Sequence, residues 1–235
     1  VRDLDMLGRV LLQFYRASNL LYRRSVEGKA PAWIAELLDQ GKPASLVAWQ
    51  RHAGFKTDVP RVIRPDVLLT EGGIAISELD SVPGGIGLTH WLNTTYAGLG
   101  DPVLGGADGM LRGFESIFGN APRVRLVVSE ESAGYRPEME WLAGLLGERF
   151  QVVGQDFNGV QDGDAVYRFF ELFDLGNIPN SGSWFEAASE KRIRLTPPPK
   201  PLFEEKLWAA LLWNRNLRPF WRAELGEGFL DRMLK

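Results

Sequence analysis

The chain has 235 residues, 45% of them hydrophobic and 24% charged, with a formal net charge of -3. That balance suits a folded globular protein with a sizeable core and excludes a polycationic nucleic-acid binder. Cysteine is absent and the histidines are His52 and His90, which excludes disulfides, thiolate zinc sites, cysteine nucleophiles and multi-histidine metal centres.

The opening segment DLDMLGRVLLQFYRASNLLYRRSVEG places Leu7, Val10, Leu11, Phe14 and Leu21 at helical spacing and predicts a long amphipathic helix closed by Gly28. Two shorter helices are expected at APAWIAELLDQG and ASLVAWQRHAG. From Arg61 the pattern changes to RVIRPDVLLT and IAISEL, two strands joined by Glu71-Gly72-Gly73 as a hairpin turn. A glycine-rich passage from Gly98 to Gly109 leads to a helix at MLRGFESIF. RVRLVVS then reads as a buried strand, YRPEMEWLAGLLGERF as the helix behind it, FQVVGQDF as a second strand and DAVYRFF as a third. Strand, helix, strand predicts a parallel sheet with a right-handed crossover. TPPPKP is expected to stiffen the chain into an extended linker, and LFEEKLWAALLWN to form a helix. No apolar run reaches membrane-spanning length, the densest being LWAALLW, and the charge from Arg2 onward is unlike a secretory leader. A cytoplasmic protein, with no membrane or nucleic-acid partner, is therefore expected. The start at Val1 and the helical ending GFLDRMLK raise the expectation of a fragment of a longer polypeptide.

The hairpin carries the chemistry. Counted by strict alternation, Ile74, Ile76, Glu78 and Asp80 share one face. Same-face neighbours have α-carbons roughly 7 Å apart, so the two carboxylates can converge on one ion. Two acids drawn toward a core face need a counter-charge, and Mg²⁺ takes carboxylate oxygens while sharing itself with phosphates. The alternative on spacing alone is that the strand leaves the core after Ile76 and both acids are solvated.

Read as RPD…ISELDS…GG, this stretch resembles the substrate- and metal-binding hairpin of the circularly permuted ATP-grasp ligases, which include eukaryotic-type glutathione synthetase and glutathionylspermidine synthetase. That hairpin begins with Arg-x-Asp and ends with Glu-x-Asn, so Asp80 departs from the pattern by one charge. The resemblance implies an α/β protein, a partial circularly permuted ATP-grasp fold with a Rossmann-like parallel-sheet domain and an N-terminal helical segment. It implies a helical arm plus metal-binding hairpin over 1–122, a Rossmann-like substrate domain over 123–200, and the start of a nucleotide-binding helical part over 201–235. It places Arg64 on the reacting phosphate or substrate carboxylate, Glu78 and Asp80 on magnesium, and Lys206 on ATP phosphate. Ser81, Gly84, Gly85 and Arg168 fall where a small-molecule or peptide substrate is held. The implied reaction is ATP-dependent joining of a carboxylate and an amine through an acyl phosphate, with ATP and Mg²⁺ as cofactors. The family's glycine-rich lid, its other nucleotide lysine and a further magnesium carboxylate have no counterpart before Lys235, so no ATP turnover by residues 1–235 alone is expected.

Simpler readings stand beside these. GGIG follows a hairpin rather than a buried parallel strand, which is a weak phosphate-loop signal and suits a tight turn. Arg168 reads equally as an edge residue reaching for solvent, and Lys206 as a solvated lysine paired with Glu204 or a neighbour. His90 is read as structural, the tryptophans as core and interface residues, and no GxSxG or Ser-His-acid set is present. A non-catalytic ATP-grasp-like domain binding a peptide or protein partner, and a free-standing Rossmann-like module, are the alternatives to the ligase.

Overall fold

The computed structural model describes residues 2–71 and 73–233, so Gly72 of the expected turn lies outside the described residues. Helix α1 (Arg2–Val26) forms where the apolar spacing predicts it. Its Phe14, Tyr15, Leu21 and Tyr22 are buried against α2 (Ala32–Asp39) and against the far end of the chain, α8 (Trp208–Trp213), α9 (Arg218–Leu225) and α10 (Glu227–Met233). Trp221 seals this joint: it stacks on Phe14 at a centroid distance of 5.5 Å, and its indole N–H donates to the Leu211 carbonyl at 2.9 Å. The first and last segments thus share one core. Among the described residues no helix is long and apolar enough to cross a membrane.

After α3 (Ala44–Arg51) come β1 (Arg64–Thr70) and β2 (Gly73–Asp80), which pair with each other as an antiparallel ribbon. Helices α4 (Ile86–Gly98) and α5 (Gly109–Ser116) lead to β3 (Val124–Val128), α6 (Arg136–Leu146), β4 (Phe150–Val153), β5 (Ala165–Phe169), α7 (Ser181–Ser189) and β6 (Arg194–Thr196). The last four strands form a parallel sheet in the order β4-β3-β5-β6. The chain is an α/β protein. Val124, Leu126 and Val128 face the core under α4, α5 and α6, while Val127 and Val166 face the one under α3 and α7. Burial on both faces explains the unbroken apolar run in RVRLVV.

Three expectations need correction. Strict alternation fails in β2: Asp66 pairs with Glu78 but Val67 pairs with Ile76, which leaves Ser77 as an extra residue. Directly opposed residues of an antiparallel pair share a face, so the bulge places Glu78 and Asp80 with Arg64 and Asp66. Ile74, Ile76 and Leu79 are left on the other face with Val67 and Leu69. The Ser77 hydroxyl secures the bulge by donating to the Asp66 carbonyl at 3.1 Å. Nor are the isoleucines on a core face, since Ile74 is 49% exposed and Ile76 37%.

The proline run is not a linker in space, because Pro197, Pro198, Pro199 and Lys200 are all buried. The Lys200 ammonium nitrogen donates to Asn19 Oδ1 at 2.8 Å and to the Asp58 carbonyl at 2.9 Å, tying this segment to α1. Finally, LFEEKLWAALLWN is not one helix. A 3-10 turn at Pro201–Glu204 comes first and α8 starts at Trp208, so Lys206 precedes the helix. Glu204 is pulled out of helical register by its bonds to Arg168 and to the Leu172 backbone N–H at 2.7 Å.

Candidate functional site

The site lies at the base of the ribbon, where the chain turns from β2 into α4. Register places Arg64 opposite Asp80 and Asp66 opposite Glu78 on one face. The Arg64 guanidinium donates to Asp66 Oδ1 at 2.8 Å and to the Gly84 carbonyl at 3.2 Å, and lies 3.3 Å from Asp80 Oδ2. Asp80 also accepts the Val82 backbone N–H at 2.8 Å, which fixes the turn. From a segment more than a hundred residues later, Lys206 reaches Glu78 Oε1 at 3.0 Å. The hydrogen bond and the charge of Glu78 raise the Lys206 pKa.

Ser81 and the two glycines build the loop. Ser81 is buried and donates to the Phe203 carbonyl at 3.2 Å, which anchors the loop to the Lys206 segment. Gly85 takes φ 82 as the residue before α4, a conformation open to glycine. A Cβ on Gly84 would sit 2.3 Å from Tyr135 Cε1, so the loop backbone lies directly on that ring. The Gly84→Ala variant is expected to cost about 1–3 kcal/mol by overpacking. Urea unfolding should show that loss, and it should shrink in a Tyr135→Ala background.

Tyr135 shows where this base sits on the sheet. Its ring meets Phe169, the last residue of β5, at 5.4 Å. The neighbouring Arg136 donates to the carbonyl of Val128, the last residue of β3, at 3.1 Å. Strands β3 and β5 are adjacent, and their successors β4 and β6 lie on opposite outer edges. That is the topological switch point at which open α/β sheets bind ligands, beyond the carboxyl ends of the strands. The hairpin acids and the sheet crevice are therefore one place.

Glu171, just after β5, belongs to this place. Burial raises its pKa, and the charges of Glu204, Asp80 and Glu78 add to that against the opposing Arg168. Asp66, Glu171 and Tyr135 escaped the sequence reading, and Glu204, read there as a partner of Lys206, pairs with Arg168 instead. Asp66 was legible from its two-residue offset to Arg64 and Glu171 from its place after a parallel strand. Glu204 meets partners more than thirty residues away and carried no local signal.

Arg168 is brought near the cluster but does not face it. It is 1% exposed, with the Phe170, Pro197 and Pro198 carbonyls as acceptors and Glu204 Oε1 at 2.6 Å. In this arrangement it holds backbone and Glu204 in place. His90 is buried on α4 against Trp141.

Among the described residues no group of three or more His, Cys, Asp or Glu side chains is arranged to hold a metal ion. Glu78 and Asp80 offer carboxylate oxygens on one face, and each meets a cationic side chain, Lys206 or Arg64. Two carboxylates fit Mg²⁺ when it arrives with phosphate and water oxygens, and do not fit a cation that needs an all-protein cage. Comparison of the chain with protein-family models, with curated proteins and with solved structures found no match.

Proposed function

We propose that this chain forms part of an ATP-dependent carboxylate–amine ligase of the circularly permuted ATP-grasp kind. One observation carries the reading: at the ribbon base Arg64 pairs with Asp80 and the distant Lys206 pairs with Glu78, next to a loop that rests on Tyr135 and so on the end of β5. Alternating acids and bases at that position suit a metal-bound phosphate ligand better than either sign alone.

In this reading Glu78 and Asp80 hold Mg²⁺, which supplies charge neutralisation on the transferring phosphoryl group. Lys206, released from Glu78, holds a nucleotide phosphate oxygen, and Arg64 stabilises the charge that develops on the phosphoryl oxygens. A substrate carboxylate oxygen attacks the terminal phosphorus and ADP departs. An amine then attacks the acyl carbon, phosphate leaves, and the ammonium proton passes to a base. Ser81, Gly84 and Gly85 shape the loop along the substrate.

Calorimetric titration with ATP tests this. Binding is expected with Mg²⁺ and not with EDTA, and Glu78→Gln should weaken it by at least about tenfold, or 1.4 kcal/mol. The Glu78–Lys206 pair is solvent-facing, so Glu78→Gln should change stability by less than about 1 kcal/mol. Equal ATP affinity with and without Mg²⁺, or unchanged in Glu78→Gln, would overturn the reading.

A further inference from the structure

We propose that the groove between α1, β2 and α8 binds the acid substrate of this ligase, a carboxylic acid with an extended apolar body whose carboxylate end lies toward Glu78 and Lys206. The inference rests on the ligase reading and adds the substrate class. The groove has a volume of about 580 Å³, within the range of small-molecule pockets. Val10, Phe14, Ile74, Ile76, Trp208 and Leu212 make its walls. The bulge at Ser77 holds Ile74 and Ile76 on the face opposite Asp80 and Arg64, and Glu78 lines the groove beside Lys206.

The polar groups gather at one end. The groove follows α1 from Met6 to Ser18, twelve residues or roughly 18 Å of helix, which calls for an elongated ligand. Met6 and Leu7 line the far end. At the near end, Tyr15 stacks on Phe203 at 5.2 Å, three residues before Lys206. Ser18 also lines the groove there; it is 1% exposed and its hydroxyl has no hydrogen-bond partner. Buried hydroxyls are seldom left unpartnered, and this one lies one turn along α1 from Tyr15. Tyr15 lines the same end, and burial, with the charges of Asp80 and Glu204, raises its pKa. The acids at this end are each matched by a cation, Glu78 by Lys206, Asp80 by Arg64, Glu204 by Arg168 and Glu205 by Lys42, and the two hydroxyls with the Lys206 ammonium, freed by Mg²⁺ on Glu78, suit an anionic oxygen head. A carboxylate held there stands beside the phosphoryl group that the ligase reading places at Glu78 and Asp80.

The test is calorimetric binding of decanoate, with butyrate and decylamine as controls for length and charge, alongside Mg²⁺-ATP. Decanoate should bind the wild type more tightly than either control. Ala209→Trp, an exposed position on the groove wall, should abolish decanoate binding and leave Mg²⁺-ATP binding intact. Ser18→Ala should raise the melting temperature by removing an unpartnered hydroxyl, yet weaken decanoate about fivefold. Decanoate binding that survives Ala209→Trp, or no decanoate binding beside normal Mg²⁺-ATP binding, overturns this proposal and leaves the ligase reading standing. Loss of Mg²⁺-ATP binding in Ala209→Trp assigns the groove to the nucleotide and overturns it as well. Failure of both ligands to bind the wild type overturns both readings.

Discussion

Arg168→Ala should destabilise the protein by about 3–5 kcal/mol, the usual consequence of breaking a buried ion pair from one side. Glu204 is 12% exposed and would be left with only the Leu172 N–H as partner, while the Phe170, Pro197 and Pro198 carbonyls would lose a donor. For a chain of this length the melting temperature should fall by roughly 10 °C. Arg168→Lys should recover little, because one ammonium cannot replace the planar fork. The Arg168→Ala/Glu204→Ala double variant should be less destabilised than the sum of the singles. A substrate clamp facing an open cleft would behave otherwise, leaving stability within about 0.5 kcal/mol of wild type. Urea unfolding distinguishes the two roles.

The second large effect is a pH dependence set by Lys200. Burial pushes its pKa down from 10.5 to about 7, against the raising charge of Asp58 and with smaller lowering contributions from Arg23 and Lys191. As a neutral amine it still has two N–H donors for the Asn19 and Asp58 oxygens it meets. The sign follows from proton counting. Between pH 7 and 10.5 the unfolded chain holds a proton that the folded chain has released, so stability rises with pH across that window. Below about pH 7 both states are protonated and the penalty of burying the charge is constant. The slope is at most about 1.4 kcal/mol per pH unit, or roughly 2–3 kcal/mol between pH 7.5 and 9.5. Lys200→Met should remove that slope. Parallel slopes in wild type and variant would show that Lys200 is charged in the folded protein.

The amphipathic spacing of α1, the strand–helix–strand order and the pairing of the hairpin were all legible, because each rests on a local period. What failed was non-local. The bulge at Ser77 inverts Glu78, Leu79 and Asp80 relative to the four residues before it, and nothing in IAISELD announces an extra residue. Two acids and two isoleucines on one face made a puzzling strand; the bulge separates them, and each set then has its own surroundings. Lys206 looked helical because LFEEKLWAALL has helical periodicity. Glu204 is instead captured by Arg168 and Leu172, contacts formed only once β5 and the 197–204 segment meet. The burial of Pro197 to Lys200 was hidden for the same reason, since its partners Asn19 and Asp58 lie far back in the chain.

The central claim is that the acids at the ribbon base take one divalent cation together with nucleotide phosphate. Crystals grown with Mn²⁺ and a non-hydrolysable ATP analogue address it through anomalous diffraction. The expected result is a single manganese peak about 2.1 Å from carboxylate oxygens of both Glu78 and Asp80, with Lys206 moved from Glu78 onto a phosphate. A nucleotide bound elsewhere, with the Glu78–Lys206 and Asp80–Arg64 pairs unchanged, would contradict it.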